Sequence, residues 1–374
     1  MIGVKFDPIK VGAAFRPLLA DSIRPATDAR WKVVGDHARV LSSRSGIDLD
    51  AATTARHLTH AGEQAGRARV AALAFRVTQP AMTTAQARVL GATAVVAQAT
   101  TSLGPSSPNR VFNVALLAKL LDGRIVKPGA TFSFNAAVGR RTAARRFKEG
   151  QAIENGLLLP SIGGGVCQVA TTVFDAAFHG GYPITQRINH SFYISHYQLG
   201  LDATVADAGP DFTFVNDTPN TIVIKASASP QTMTVSFLSR PLERHVEFAT
   251  SRQTAWVNPE KRYYASPDVP AGTIAKTTIG EKGFSVAVSR RVIGADGKTL
   301  RRDAFASRYI AEDAIYLVGK GGKLPAGRTL AGLYPGYTGS TTGIDLAHWL
   351  ATPAAKKVPT GGLPLPGPAP AVRP

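Results

Sequence analysis

Apolar residues recur at helical spacing from Val169 through Val173, Phe174, Ala177 and Phe178, and Gly180–Gly181 stop the pattern. Three glycines, Gly163 to Gly165, stand ahead of it, so Cys167 falls in the first turn of the predicted helix. A second helix is predicted over 50–63, which opens on Asp50 and carries Leu58 among alanines. Residues 67–77 alternate well enough for a strand, and 83–91 follow Pro80 as a short helix. Residues 187–197, rich in aromatic and β-branched side chains, read as a strand. Further on, 283–293 and 300–310 alternate on either side of a Gly-Ala-Asp-Gly-Lys turn, the pattern of a hairpin.

These elements predict an α+β chain. Residues 1–100 mix helix and strand in an α+β N-terminal domain, 101–108 (TSLGPSSP) read as a linker, and 109–240 form a central α/β-type domain. Residues 241–350 make a β-rich extension, and 351–374, with seven prolines, an extended and partly disordered tail.

Composition narrows the partners. The 374 residues are 44% apolar and carry 43 basic against 25 acidic side chains, a net charge of +18. That excess favours anionic partners such as nucleic acid, lipid head groups or cell-wall polymers. A single cysteine excludes an internal disulfide and any Cys-rich zinc site. The start, broken by Asp7, Pro8, Lys10 and Arg16, contains no apolar core of an export signal. The chain is therefore cytosolic, or its N-terminus is trimmed or mis-started. The least charged stretch, 89–109, is too polar to span a bilayer.

The helix-start cysteine is the sharpest chemical feature. Helix N-terminal amides and the dipole favour thiolate, which makes a nucleophile of Cys167, and the amides of Gly164 and Gly165 could hold an oxyanion. Against this stands the plain alternative of a small apolar residue packing a helix on a sheet. A nucleophile needs a base. His179 lies about 18 Å along the same helix and is out of reach. His190 and His196 share a face of the predicted strand but sit about 20 Å apart, so at most one serves Cys167 and the two cannot ligate one metal. Spacing does not choose between them. Asp202 is the nearest following acid, either an orienting group for the base or a turn residue bonding its own backbone. The basic run Arg140 to Lys148 suits an anionic polymer or a solvated face. No aromatic interleaving accompanies it, so nucleic acid is not an expected partner. No GxGxxG or P-loop occurs.

At these residues the chain resembles the VanW family. The resemblance is carried by Asn109-Arg110 with Asn113, Pro128-Gly129, Phe132-Ser133-Phe134-Asn135 and Gly139, then by Gly163-Gly164-Gly165-Val166-Cys167-Gln168, His190-Ser191 and Asp202-Ala203-Thr204-Val205. One departure is Arg146-Phe147-Lys148 after Arg141-Thr142, where the family tends to have Gly-Tyr. Residues 1–100 resemble, less specifically, the peptidoglycan-binding domain often found before VanW domains, and 259–320 the extension that often follows them. The family takes its name from glycopeptide-resistance gene clusters, and some members are cysteine-dependent L,D-transpeptidases acting on peptidoglycan stem peptides. The resemblance implies Cys167 as nucleophile, His190 as base in preference to His196, Asp202 as its orienter, and Gly163, Gly164, Gly165 and Gln168 as oxyanion or substrate-binding residues. It implies no metal or organic cofactor. The implied partners are peptidoglycan stem peptides, glycan and anionic wall polymers, at an extracellular, cell-wall or cell-surface location. The rival reading is a non-catalytic module that binds peptidoglycan or its precursor and is linked to glycopeptide resistance.

Overall fold

The computed structural model describes residues 4–64, 66–154, 157–337, 340 and 344–350, so the expected tail over 351–374 lies outside the described residues. The fold is α+β. Its centre is a six-stranded antiparallel sheet in the order Arg30–Val34, His37–Leu41, Ala94–Ser102, Thr232–Ser239, Ile222–Ala228 and Arg124–Val126. The sheet runs continuously from strands before residue 103 to strands after 123. The stretch 101–108 is therefore not all linker: Thr101 pairs with Met233 and Ser102 with Thr232, leaving 103–107 to connect the strand to the helix Pro108–Leu121. Thr101 is polar yet buried because its hydroxyl bonds Thr172 at 2.8 Å and accepts from Gln168 at 3.1 Å.

Two helices pack beside this sheet. Pro108–Leu121 is started by the Ser107 hydroxyl, which accepts from the Arg110 amide, with Pro108 in the first turn. It buries Asn113, Val114, Leu117, Ala118 and Leu121. Val166–His179 runs as the apolar spacing predicts and buries Val169, Ala170, Val173, Phe174, Ala177 and Phe178 completely. The helix predicted over 50–63 forms as Ala51–Gly62, capped by Asp50 onto Thr53, and the one over 83–91 as Thr84–Val89 behind a Thr83/Gln86 capping box. The strand predicted over 67–77 does not form as one element. A 3-10 turn occupies Gly66–Ala68, and only Phe75–Thr78 pairs, with Gly46–Leu49. The alternation there serves no core, since Phe75 and Val77 remain exposed.

The predicted hairpin is present as Gly283–Gly294 against Thr299–Tyr309, with Phe284 opposite Tyr309. Arg244–Thr250 and Thr254–Val257 pair with its first strand, and a further sheet joins Ile274–Lys276, Ala314–Val318, Lys261–Ala265 and Leu330–Leu333. The hairpin grips the helix Val166–His179 through Arg290, which is 2% exposed. Its guanidinium donates to the Phe178 carbonyl at 2.8 Å and the Tyr182 carbonyl at 2.9 Å, and pairs with Asp303. A cation thus meets the carbonyl end of the helix, where the dipole favours it. No helix among the described residues is long and apolar enough to cross a membrane.

Candidate active site

Cys167 sits in the first turn of Val166–His179, behind Gly165 at φ +102 and Gly163 at φ +92. Only glycine suits these positions. A Cβ on Gly165 would stand 2.9 Å from Val114 Cγ2, and one on Gly163 3.1 Å from Arg141 Cβ. Asn113, wholly buried, fixes this loop from below. Its amide donates to the carbonyls of Lys148 and Gly164 at 2.9 and 3.0 Å, and its oxygen accepts from the Lys148 amide at 2.8 Å. The Gly163 amide is committed to the Lys148 carbonyl at 3.0 Å, so it is not available as an oxyanion donor. The amides of Gly164, Gly165, Cys167 and Gln168 have no protein acceptor among the described residues. The expected substrate-binding role of the Gln168 side chain is not met, because that side chain faces the sheet. It is 1% exposed and donates to Thr101 and to the Ser102 carbonyl at 2.7 Å, which makes it an anchor of the helix.

The segment 187–197, predicted as a strand, is an irregular loop. Its backbone is satisfied elsewhere: the His190 amide donates to Asp202 Oδ2 at 2.7 Å, and the Thr204 amide to the Ile188 carbonyl at 2.8 Å. The curved path removes the separation of about 20 Å expected for a straight strand. The rings of His190 and His196 both lie on Tyr197, at centroid distances of 5.7 and 4.4 Å. His190 is buried and His196 exposed.

Asp202 is not a turn residue bonding its own backbone. It is 2% exposed and receives hydrogen bonds on both oxygens. Oδ2 takes the His190 amide and His190 Nδ1, the latter at 2.6 Å; Oδ1 takes Arg187 Nη2 at 2.9 Å and the Tyr309 hydroxyl at 2.6 Å. Burial raises its pKa, but the bond and charge of His190 and the charge of Arg187 outweigh this and hold it below the ordinary value. With Nδ1 occupied by Asp202, Nε2 is the ring nitrogen left free, and His190 and Cys167 act on each other's charge. Burial disfavours the imidazolium, yet Asp202 and Cys167 push its pKa up to about 9. For half-buried Cys167, desolvation pushes upward, while the neighbouring His190, Thr204 and the Val205 carbonyl bring the thiol below its ordinary value. The sulfur stands 3.4 Å from Thr204 Oγ1 and 3.5 Å from the Val205 carbonyl. The arrangement favours a thiolate–imidazolium pair backed by a buried carboxylate, with unbonded amides beside the sulfur. No group of three or more potential metal ligands occurs among the described residues.

Sequence reasoning missed three supports. Tyr309 comes from the hairpin strand more than a hundred residues beyond Asp202. Arg187, also held by Ser307 at 2.9 Å, lies in the resembling segment but shows no role until the loop is folded. Thr204 falls within the Asp202-Ala203-Thr204-Val205 run, where nothing local marks its hydroxyl as a partner of the sulfur. No local pattern marks Tyr309.

Residues 109–238 match the family described as "VanW like protein". The chain is 36% identical over 168 residues to the uncharacterized protein YoaR of Bacillus subtilis, covering 44% of this chain and 55% of that protein. It is 36% identical over 121 residues to the vancomycin B-type resistance protein VanW of Enterococcus faecalis, covering 31% of this chain and 44% of that one. The chain thus spans about half the length of the curated relatives it matches. A solved G5 domain of an IgA1 protease matches 22% of the chain and 94% of its own at 15% identity, with a TM-score of 0.14, a likeness that carries no argument about the fold.

Proposed function

From the match of residues 109–238 to the VanW-like family, we propose that the chain is a cell-wall enzyme that transfers acyl groups between peptidoglycan stem peptides through a thioester on Cys167. The observation that carries the reading is the buried Asp202–His190 pair behind a half-buried cysteine whose thiol lies below its ordinary value. The name of the Enterococcus relative, a vancomycin resistance protein, supports a cell-wall setting. The +18 charge suits retention among anionic wall polymers outside the cell, and the same reading gives residues 1–100 a role in holding peptidoglycan.

In the proposed reaction the Cys167 thiolate attacks the carbonyl that precedes the terminal D-Ala of a tetrapeptide stem. A C–S bond forms, and the oxyanion faces the amides of Gly165 and Cys167. The C–N bond then breaks, and the departing amine takes the proton carried by His190 Nε2. The amine of a second stem, losing a proton to the same nitrogen, attacks the thioester carbonyl; the new C–N bond forms, the C–S bond breaks and the thiolate returns. Water in place of that amine gives hydrolysis. Asp202 keeps the imidazole in one orientation and stabilises its charged form.

The test is release of D-Ala from a disaccharide-tetrapeptide, followed by chromatography, with wild type beside Cys167→Ala. The reading expects release in wild type and loss of at least a thousandfold in the variant, since removal of a nucleophile costs about this much. Equal release by both proteins overturns it. Binding without release by either protein indicates a peptidoglycan-binding module instead.

A further inference from the structure

The stem of Arg110 lies beside the glycine loop ahead of Cys167, and its guanidinium has no acidic partner among the described residues. A Cβ on Gly165 would stand 3.3 Å from Arg110 Cγ. Arg110 is half-buried, and Nη1 donates to the Ser106 hydroxyl at 3.2 Å. Nε and Nη2 have no acceptor among the described residues, and no carboxylate pairs with this side chain. The other arginines around the site are committed. Arg141 pairs with Asp207 and Arg187 with Asp202. The Arg110 charge also reaches His196, where it opposes protonation after burial has done the same, and it bears on Tyr197. Arg110 therefore lies against the glycine loop ahead of Cys167, close enough for its charge to act on His196 and Tyr197.

A half-buried fork with two free donor nitrogens is built for a carboxylate, which it takes through two parallel bonds. It gives no such fit to a neutral carboxamide of the same shape. We propose that Arg110 is a specificity-determining residue that selects peptides carrying a free carboxylate next to the carbonyl presented to Cys167. This rests on the peptide-acyl-transfer reading for the identity of the ligand. Two carboxylates on a stem peptide have the required chemistry: the one that ends the chain after the attacked bond, and the α-carboxylate of the glutamyl residue before it.

The experiment uses three probes, the tetrapeptide L-Ala-γ-D-Glu-L-Lys-D-Ala, its C-terminal amide, and the analogue amidated at the glutamyl α-carboxylate. Dissociation constants are measured by calorimetry on Cys167→Ala with Arg110 retained and with Arg110→Gln, and thioester formation on wild type by intact mass. Amidation of one of the two carboxylates is expected to weaken binding by about ten- to a hundredfold, the range of a charge-assisted hydrogen bond, and identifies which carboxylate is read. Arg110→Gln should impose the same loss on the free peptide and almost none on that amide, while Arg110→Lys restores part of it. Equal losses on free and amidated peptides, or none on either, overturn the inference. Thioester formation with indifference to both amides would leave the reaction standing and remove the role of Arg110. Carboxylate preference without any thioester would do the reverse.

Discussion

Replacing Asp202 by Asn keeps the side-chain shape and removes the charge that His190, Arg187 and Tyr309 address together. Two of its four hydrogen bonds come from His190, through the backbone amide and Nδ1. A hydrogen bond to a charged group is worth about 1.5–3 kcal/mol. Loss of the charge should therefore lower the imidazolium–thiolate population by about ten- to a hundredfold. In wild type the Cys167 thiol lies below its ordinary value, so alkylation by iodoacetamide should fall off at a lower pH than it does for an ordinary thiol. In Asp202→Asn the midpoint of the alkylation rate should move up by about 1 to 2 pH units, toward the ordinary thiol near 8.5. The variant's near-ultraviolet circular dichroism reports whether Arg187 and Tyr309 keep their places. A folded variant with an unchanged midpoint would refute the argument that Asp202 sustains the charge state of the site.

Four other outcomes follow from the same geometry. Thr204→Val removes the hydroxyl 3.4 Å from the sulfur and should raise the alkylation midpoint by less than Asp202→Asn; a larger rise would misplace the dominant support. Gly165→Ala combines φ +102 with a 2.9 Å approach to Val114, so it should cost about 1–3 kcal/mol or more in urea unfolding, whereas Gly35→Ala, at φ +61 in open space, should cost less; equal losses would contradict the crowding argument. Arg290→Met strips the helix end of its cation and leaves Asp303 only the 3.4 Å contact with Arg301, which should cost about 3–5 kcal/mol in the same assay, and a loss below about 1 kcal/mol would count against it. Asp175, desolvated and close to Asp202, has a pKa raised well above the carboxylate range, so its burial opposes folding increasingly as pH rises above about 4; Asp175→Asn should raise the melting temperature at pH 7 and not at pH 3, and a fall at pH 7 would refute this.

How much was legible in the chain depended on whether the signal was local. The helix Val166–His179, its glycine approach and the hairpin Gly283–Gly294 with Thr299–Tyr309 are each written in consecutive residues, so spacing and turn chemistry suffice. Residues 187–197 have strand composition, but the strand is lost because the His190 amide goes to the Asp202 carboxylate and not to a neighbouring strand. Such a side-chain competitor leaves no periodic trace. The polar start of 101–108 looks like a linker because the partners that bury Thr101, Thr172 and Gln168 lie about seventy residues away. Gln168 adjoins Cys167 in sequence but faces a different side in space, since successive helix positions point about 100° apart. Tyr309 was beyond reach for the same reason: only the closed fold brings it to Asp202.

The most direct measurement is the intact mass of the full chain after brief incubation with a disaccharide-tetrapeptide, quenched in acid, for wild type and Cys167→Ala in parallel. The account predicts a wild-type-only increase equal to the substrate less D-Ala, on a peptide containing Cys167 and removable by hydroxylamine. A wild type that stays unmodified while the same substrate binds would contradict the thioester at the centre of the account.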